Sequence, residues 1–126
     1  MSSDTELVNS ADAAYEAIRT LNHGTYRTIP APLAYSLLGN LAGAGHGLAQ
    51  LLGQINTGLS KSLTEYDVYD RNRDPAESVD MTAEALDSAA ELAAQLGELL
   101  STAQGAINLQ GYNLPTDQVG HRDTEE

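Results

Sequence analysis

Four glutamates fall seven residues apart, at Glu77, Glu84, Glu91 and Glu98, and no Lys or Arg interrupts the stretch from Ala76 to Gln110. Seven residues are nearly two helical turns, so on a helix these carboxylates form one ridge. Asp80 and Asp87 stand three residues after two of them and widen it. Such a ridge could dock a basic protein surface or imitate the regular phosphates of a nucleic acid. It could equally be the solvated flank of an acidic helix, because like charges at helical spacing are only mildly unfavourable.

Other residue groupings with chemical potential carry less. Asp70-Arg-Asn72-Arg-Asp74 is similar to the opening of an EF-hand calcium loop. Pro75 stands where that loop needs its Gly turn, and Met81 stands where it needs its bidentate Glu, so a helix-capping linker is expected instead. Arg71 and Arg73 are then expected to pair with Asp67 and Asp70. Gly43-Ala-Gly45-His-Gly47 has the glycines of a phosphate loop without its Lys-Ser/Thr and without a preceding strand. None of His23, His46 and His121 has a carboxylate three residues before it, which excludes the Glu-x-x-His spacing of di-iron bundles. His46, among glycines, is the one His whose position a cap or a tail does not explain, and it leaves a pocket there as a remote option. Cysteine is absent, so disulfides, thiolate catalysis and Cys-type zinc sites are excluded. Tyr66 and Tyr69 are expected to close the end of the helical pair. No Ser, Tyr or carboxylate has a base partner by spacing. The expectation is a chain with no enzymatic activity, no cofactor and no metal.

The elements that would carry these residues are helices. Leu7, Ala11, Ala14, Ile18 and Leu21 follow helical spacing and predict a helix over 4–22, capped by Asp4 and ended at Gly24 in a left-handed conformation. Pro30 and Pro32 mark a connector. Leu37, Leu41, Ala44, Leu48, Leu51, Ile55 and Leu59 predict a second helix over 32–64, its stripe broadened by Leu38, Leu52 and Leu63. Glycines from Gly39 to Gly47 make a weak point, since each costs about 1 kcal/mol relative to Ala. A continuous helix is favoured, with Gly39, Gly43 and Gly47 allowing close approach of another helix. The alternative is a break near Gly43–Gly47. Asp74-Pro75-Ala-Glu77 has the form of a capped helix start, and Val79, Leu86, Ala93, Leu100 and Ile107 give that third helix, over 75–110, a dry side. The polar stretch 111–126 lacks periodicity and is expected to be a mobile tail.

No strand pattern is present. The predicted fold is all-α: a long antiparallel helical hairpin plus a shorter N-terminal helix, forming one domain over 1–110. It has three helices, or four if the second breaks. Each hairpin helix would be about 50 Å long. The first helix, about half that, would cover the hairpin end near Leu37 and Leu100. The other end carries Leu52, Ile55, Leu59, Leu63, Val79 and Leu86, expected to lie partly open and to form an interface.

Composition narrows the partner class. The net charge is −12, which disfavours direct contact with nucleic acid or an anionic membrane and favours a basic protein. Apolar residues make up 41%, yet Phe and Trp are absent, so the core must rely on closely packed small side chains. The first residues lack the basic and apolar runs of a signal peptide, and no stretch approaches the roughly 20 apolar residues of a membrane span. A cytoplasmic location is expected.

Leu21-Asn-His23, Asp74-Pro-Ala-Glu-Ser-Val79 and Ala103-Gln-Gly-Ala-Ile-Asn-Leu-Gln-Gly-Tyr112, with one Lys against five Arg, resemble small helical proteins of actinobacteria and their phages and plasmids. That resemblance spans most of the chain and implies no particular activity. Tyr66-x-x-x-Asp70 is similar to the secretion signal of the WXG100 helical hairpins, which dimerise. The chain departs from that family in having no Trp-x-Gly turn and in placing the Tyr motif between the helices. The residues together predict a helical protein–protein interaction module, an adaptor, regulator or structural accessory, forming a homodimer or binding another protein. The alternatives are an acidic nucleic-acid mimic that blocks a DNA- or RNA-binding protein, through Glu77, Asp80, Glu84, Asp87, Glu91 and Glu98, and a WXG100-like secreted hairpin.

Overall fold

A computed structural model describes residues 2–114 as three helices, with no strand among the described residues. The chain divides into two compact units, one ending at Pro30 and the other beginning at Ala31. Most of the stretch expected to form a tail, 115–126, lies outside the described residues, as does His121.

The first unit holds α1 (Asp4–Gly24). Its start is set by Ser3, not by Asp4. The Glu6 amide donates to Ser3 Oγ at 3.1 Å, and the Ser3 amide donates to Glu6 Oε1 at 2.8 Å. This reciprocal box satisfies two donors that a helix start leaves open, and it needs a Glu at the third helical position. The Ser3 amide foremost, and the Ser3 hydroxyl beside it, hold the Glu6 carboxyl below its ordinary pKa. The far end also differs from expectation. Gly24 stays helical, and no described residue has a positive φ. Thr25 closes the helix instead, its amide at 3.0 Å and its hydroxyl at 2.8 Å both donating to the Leu21 carbonyl. Leu7, Ala11, Ala14, Ile18 and Leu21 lie along one stripe, and no residue of α1 is buried.

The second unit is a hairpin of α2 (Ala31–Glu65) and α3 (Pro75–Ala106), packed against each other along their lengths. Pro32 is accommodated because it falls in the first turn of α2, where its missing donor would have no partner. The helix runs unbroken through Gly43–Gly47, so the four-helix alternative gives way to three helices. α3 stops at Ala106 instead of Gln110. There the chain tightens, as the Ile107 amide donates to Gln104 and Gly105 carbonyls and the Gln110 amide to the Ile107 carbonyl at 3.1 Å.

The connector 66–74 is organised by Asp70. Its Oδ1 accepts from the amides of Asn72 at 2.8 Å and Arg73 at 3.1 Å, and its Oδ2 accepts from the Ser78 hydroxyl in the first turn of α3. These bonds, the one from Ser78 foremost, draw the Asp70 carboxyl below its ordinary pKa. Asp74 holds the N-cap position ahead of Pro75 but makes no side-chain cap bond. Glu77 does not reach back to it. Its Oε1 lies 3.9 Å from Arg73 Nε, so Arg73 pairs with Glu77 and not with Asp67 or Asp70. Asp70 thus holds the connector to the helix that Asp74 was expected to cap.

The seam of the hairpin is a heptad series whose middle is Ala and Gly and whose ends are mostly Leu. On α2 it runs Leu38, Ala42, Gly45, Ala49, Leu52, Asn56, Leu59 and Leu63, and on α3 Val79, Ala83, Leu86, Ala90, Ala93, Gly97, Leu100 and Gln104, all buried or half-buried. Steps of four and three along both helices are the spacing of an antiparallel coiled coil. Closest approach falls where Gly45 meets Gly97: a Cβ on Gly45 would lie 3.0 Å from the Gly97 Cα and amide nitrogen. That contact is why α2 carries Gly45 at mid-helix. Two polar bonds fix the register on either side of it. Asn56 Nδ2 donates to Asp87 Oδ1 at 2.9 Å, and Gln104 Nε2 donates to the Tyr35 carbonyl at 3.0 Å.

Candidate protein interface

With the seam known, every other position on the two helices can be placed by its offset. In an antiparallel pair, residues that precede a seam residue lie on the same side of the pair in both helices, and residues that follow one lie on the opposite side. Along the seam from Leu38 to Asn56 on α2 and from Leu86 to Gln104 on α3, the preceding residues are Leu37, Leu41, Ala44, Leu48, Leu51 and Ile55, and Ala85, Ala89, Leu92, Leu96, Leu99 and Ala103, all apolar. Towards the connector they give way to Gly58, Ser62, Ser78 and Thr82. Leu48, Leu51, Ile55, Leu92, Leu96 and Leu99 are between 43% and 67% exposed. One side of the hairpin is therefore an open apolar face.

The other side is acidic. Asp80, Glu84, Asp87, Glu91 and Glu98 each follow a seam residue, so the carboxylates of the paired length of α3 gather on one face, all exposed. Glu77, seven residues before Glu84, is exposed on the same side, ahead of the first seam residue Val79. Facing them, α2 contributes Gly43, His46, Gln50 and Gly53, with no Lys or Arg. The stretch from Ala31 to Ser60 holds no Asp, Glu, Lys or Arg at all. His46 is exposed, and its ring lies against Gly97, where a Cβ would come within 2.9 Å of it.

The six residues expected to form an open apolar end are placed differently from one another. Val79 is buried, Leu52, Leu59, Leu63 and Leu86 are half-buried in the seam, and Ile55 alone is exposed, on the apolar face. Of the residues that make most of that face, Leu48 and Leu51 stood in the predicted stripe of α2 but not among the interface residues, and Leu92, Leu96 and Leu99 were not singled out by spacing. Leu48 and Leu51 read as residues packed against α3, because the most apolar stripe of a helix is the natural choice for its buried side. The matching heptads of Ala and Gly on α2 and α3 are the signal that separates the two stripes.

Among the described residues, no group of three or more His, Asp or Glu is arranged to hold a metal ion. No helix among them is long and apolar enough to cross a membrane. The hairpin instead presents one exposed apolar face and one exposed acidic face. No family model, curated protein or solved structure matches the chain.

Proposed function

We propose that this chain is a non-enzymatic helical protein–protein interaction module, acting as an adaptor, regulator or structural accessory. The observation that carries this reading is the apolar face of the α2–α3 hairpin. Its six large exposed side chains leave on the order of 500 Å² open, the size at which an apolar patch on a folded protein marks an interaction site. Helix α2 supports it independently, since its uncharged length suits a helix covered on more than one side.

A second reading has its own observation. Five carboxylates on one face with no Lys or Arg opposite them suit capture of a basic protein, including one that binds nucleic acid. A single comparison separates the two. Extract from the source cells is passed over the wild-type chain, a Leu48→Glu/Leu96→Glu variant and a Glu84→Lys/Glu91→Lys variant. A partner lost only with the leucine changes supports the apolar module. A partner lost only with the charge reversal, and eluted by salt, supports the acidic reading. A partner retained by all three chains contradicts both.

A further inference from the structure

We infer that the apolar face of the hairpin is covered by the same face of a second copy of this chain, giving a four-helix bundle with its acidic faces outward. The inference rests on the interaction-module reading and names the partner.

Three observations point to self-association. The first is thinness. Two helices cannot enclose a side chain: the buried apolar residues are Ala31, Ala42, Val79 and Ala93, and no described side chain is fully buried. A second pair of helices turns the half-covered leucines of each hairpin into a shared core. The second is area. The six large side chains with the flanking alanines approach the roughly 800 Å² per partner of a standard stable interface. The third is shape and charge. The apolar stripe runs from Leu37 to Ile55 on α2 and from Ala85 to Ala103 on α3, the same extent of about 27 Å at 1.5 Å per residue. Neither stripe contains a charged residue, so two copies can meet without burying a carboxylate.

The net charge of −12 is the obvious objection. The geometry answers it. Face-to-face packing puts two helix layers of about 10 Å each between the acidic faces. Their separation then exceeds the Debye length of about 8 Å at physiological ionic strength, and the repulsion is screened. A heterologous basic partner would instead be drawn to the acidic face, and its binding would weaken as salt is added.

The test is sedimentation equilibrium of the full chain from micromolar to millimolar concentration, at low and high salt. The wild type is expected to be a dimer whose dissociation constant is nearly unchanged by salt. Leu48→Glu/Leu96→Glu is expected to weaken it by roughly a hundredfold or more, because the carboxylates would be buried unpaired. Glu84→Lys/Glu91→Lys is expected to remain a dimer. A wild type that is monomeric throughout, or larger than a dimer, overturns the inference, as does a dimer untouched by the leucine changes.

Because the leucine variant could lose its fold with its partner, a second measurement stands beside it. The chain has no cysteine, so single spin labels can be placed at Gln54→Cys, on the rim of the apolar face, and at Glu84→Cys on the opposite face. Strong intermolecular coupling at Gln54 and weak coupling at Glu84 support the arrangement. The reverse pattern, or none, overturns it. A monomeric chain that still binds a different protein through Leu48 and Leu96 overturns the second copy and leaves the interaction module standing.

Discussion

Adding one methyl group to α2 should have opposite effects at neighbouring glycines. At Gly45 a Cβ would sit 3.0 Å from the Gly97 backbone and 3.3 Å from the Ala93 carbonyl. Apolar contacts are comfortable at about 3.5–4.0 Å, so α2 and α3 must separate by roughly 0.5–1 Å, forfeiting part of the dispersion energy of the seam. Overpacking of this kind costs about 1–3 kcal/mol, against which Ala contributes about 1 kcal/mol of helix propensity over Gly. Gly45→Ala should therefore destabilise the hairpin by about 1 kcal/mol. At Gly43, Gly47 and Gly53 a Cβ meets nothing within 4 Å. Each of these changes should stabilise by up to about 1 kcal/mol, a gap of about 2 kcal/mol from the seam position. Gly97→Ala falls between, because its Cβ meets the His46 ring, a side chain that can swing away. In a His46→Ala background the full propensity gain at Gly97 should return, a coupling that a double-mutant cycle isolates. The assay is urea denaturation followed by far-UV circular dichroism at fixed protein concentration, which keeps any association constant across the series. A Gly45→Ala chain stabilised as much as Gly43→Ala would refute the close crossing and the register built on it.

Asp70→Ala should lower the urea midpoint, and Ser78→Ala should lower it less, with the two effects not adding because they share one hydrogen bond. The folded pKa of Asp70 is depressed, so its contribution is present above the unfolded value near about 3.9 and is lost as pH falls through the folded value. An acid titration of stability should show this loss in the wild type and lack it in Asp70→Ala. Asn56 occupies a seam position, and its Oδ1 has no hydrogen-bond partner. Asn56→Leu should stabilise the hairpin by about 1 kcal/mol while loosening its register, since a polar seam residue trades stability for alignment. A lower melting temperature for that variant would contradict the reasoning. Ser3→Ala should cost α1 about 1 kcal/mol by removing the cap, read as faster amide exchange at Glu6.

How much of this was legible depended on the kind of residue. The helices themselves were readable, because apolar periodicity and the Pro75 start are strong local signals. The carboxylates were readable as a ridge because their spacing survives any rotation of the helix. The face that α2 turns to α3 was not. The leucines at 41, 48 and 51 outweighed the alanines and glycines of the true seam, and only the matching small residues of α3 select between stripes one residue apart. The roles of Ser3, Thr25 and Asp70 were missed for a different reason. They rest on side-chain bonds to nearby backbone, which several neighbouring polar residues could make equally well in sequence. Asp4, Gly24 and Asp74 were the more conspicuous candidates, and each lies within a few residues of the one that acts.

The placement of both faces depends on Gly45 standing opposite Gly97, so the most direct measurement is the proton contact between them. In a nuclear Overhauser spectrum of the labelled protein, the account predicts strong cross-peaks between the Gly45 and Gly97 α-protons, flanked by contacts of Ala42 with Leu100 and of Ala49 with Ala93. Cross-peaks that instead pack Leu41, Leu48 and Ile55 against Ala93 and Leu100, with Gly45 far from Gly97, would contradict it.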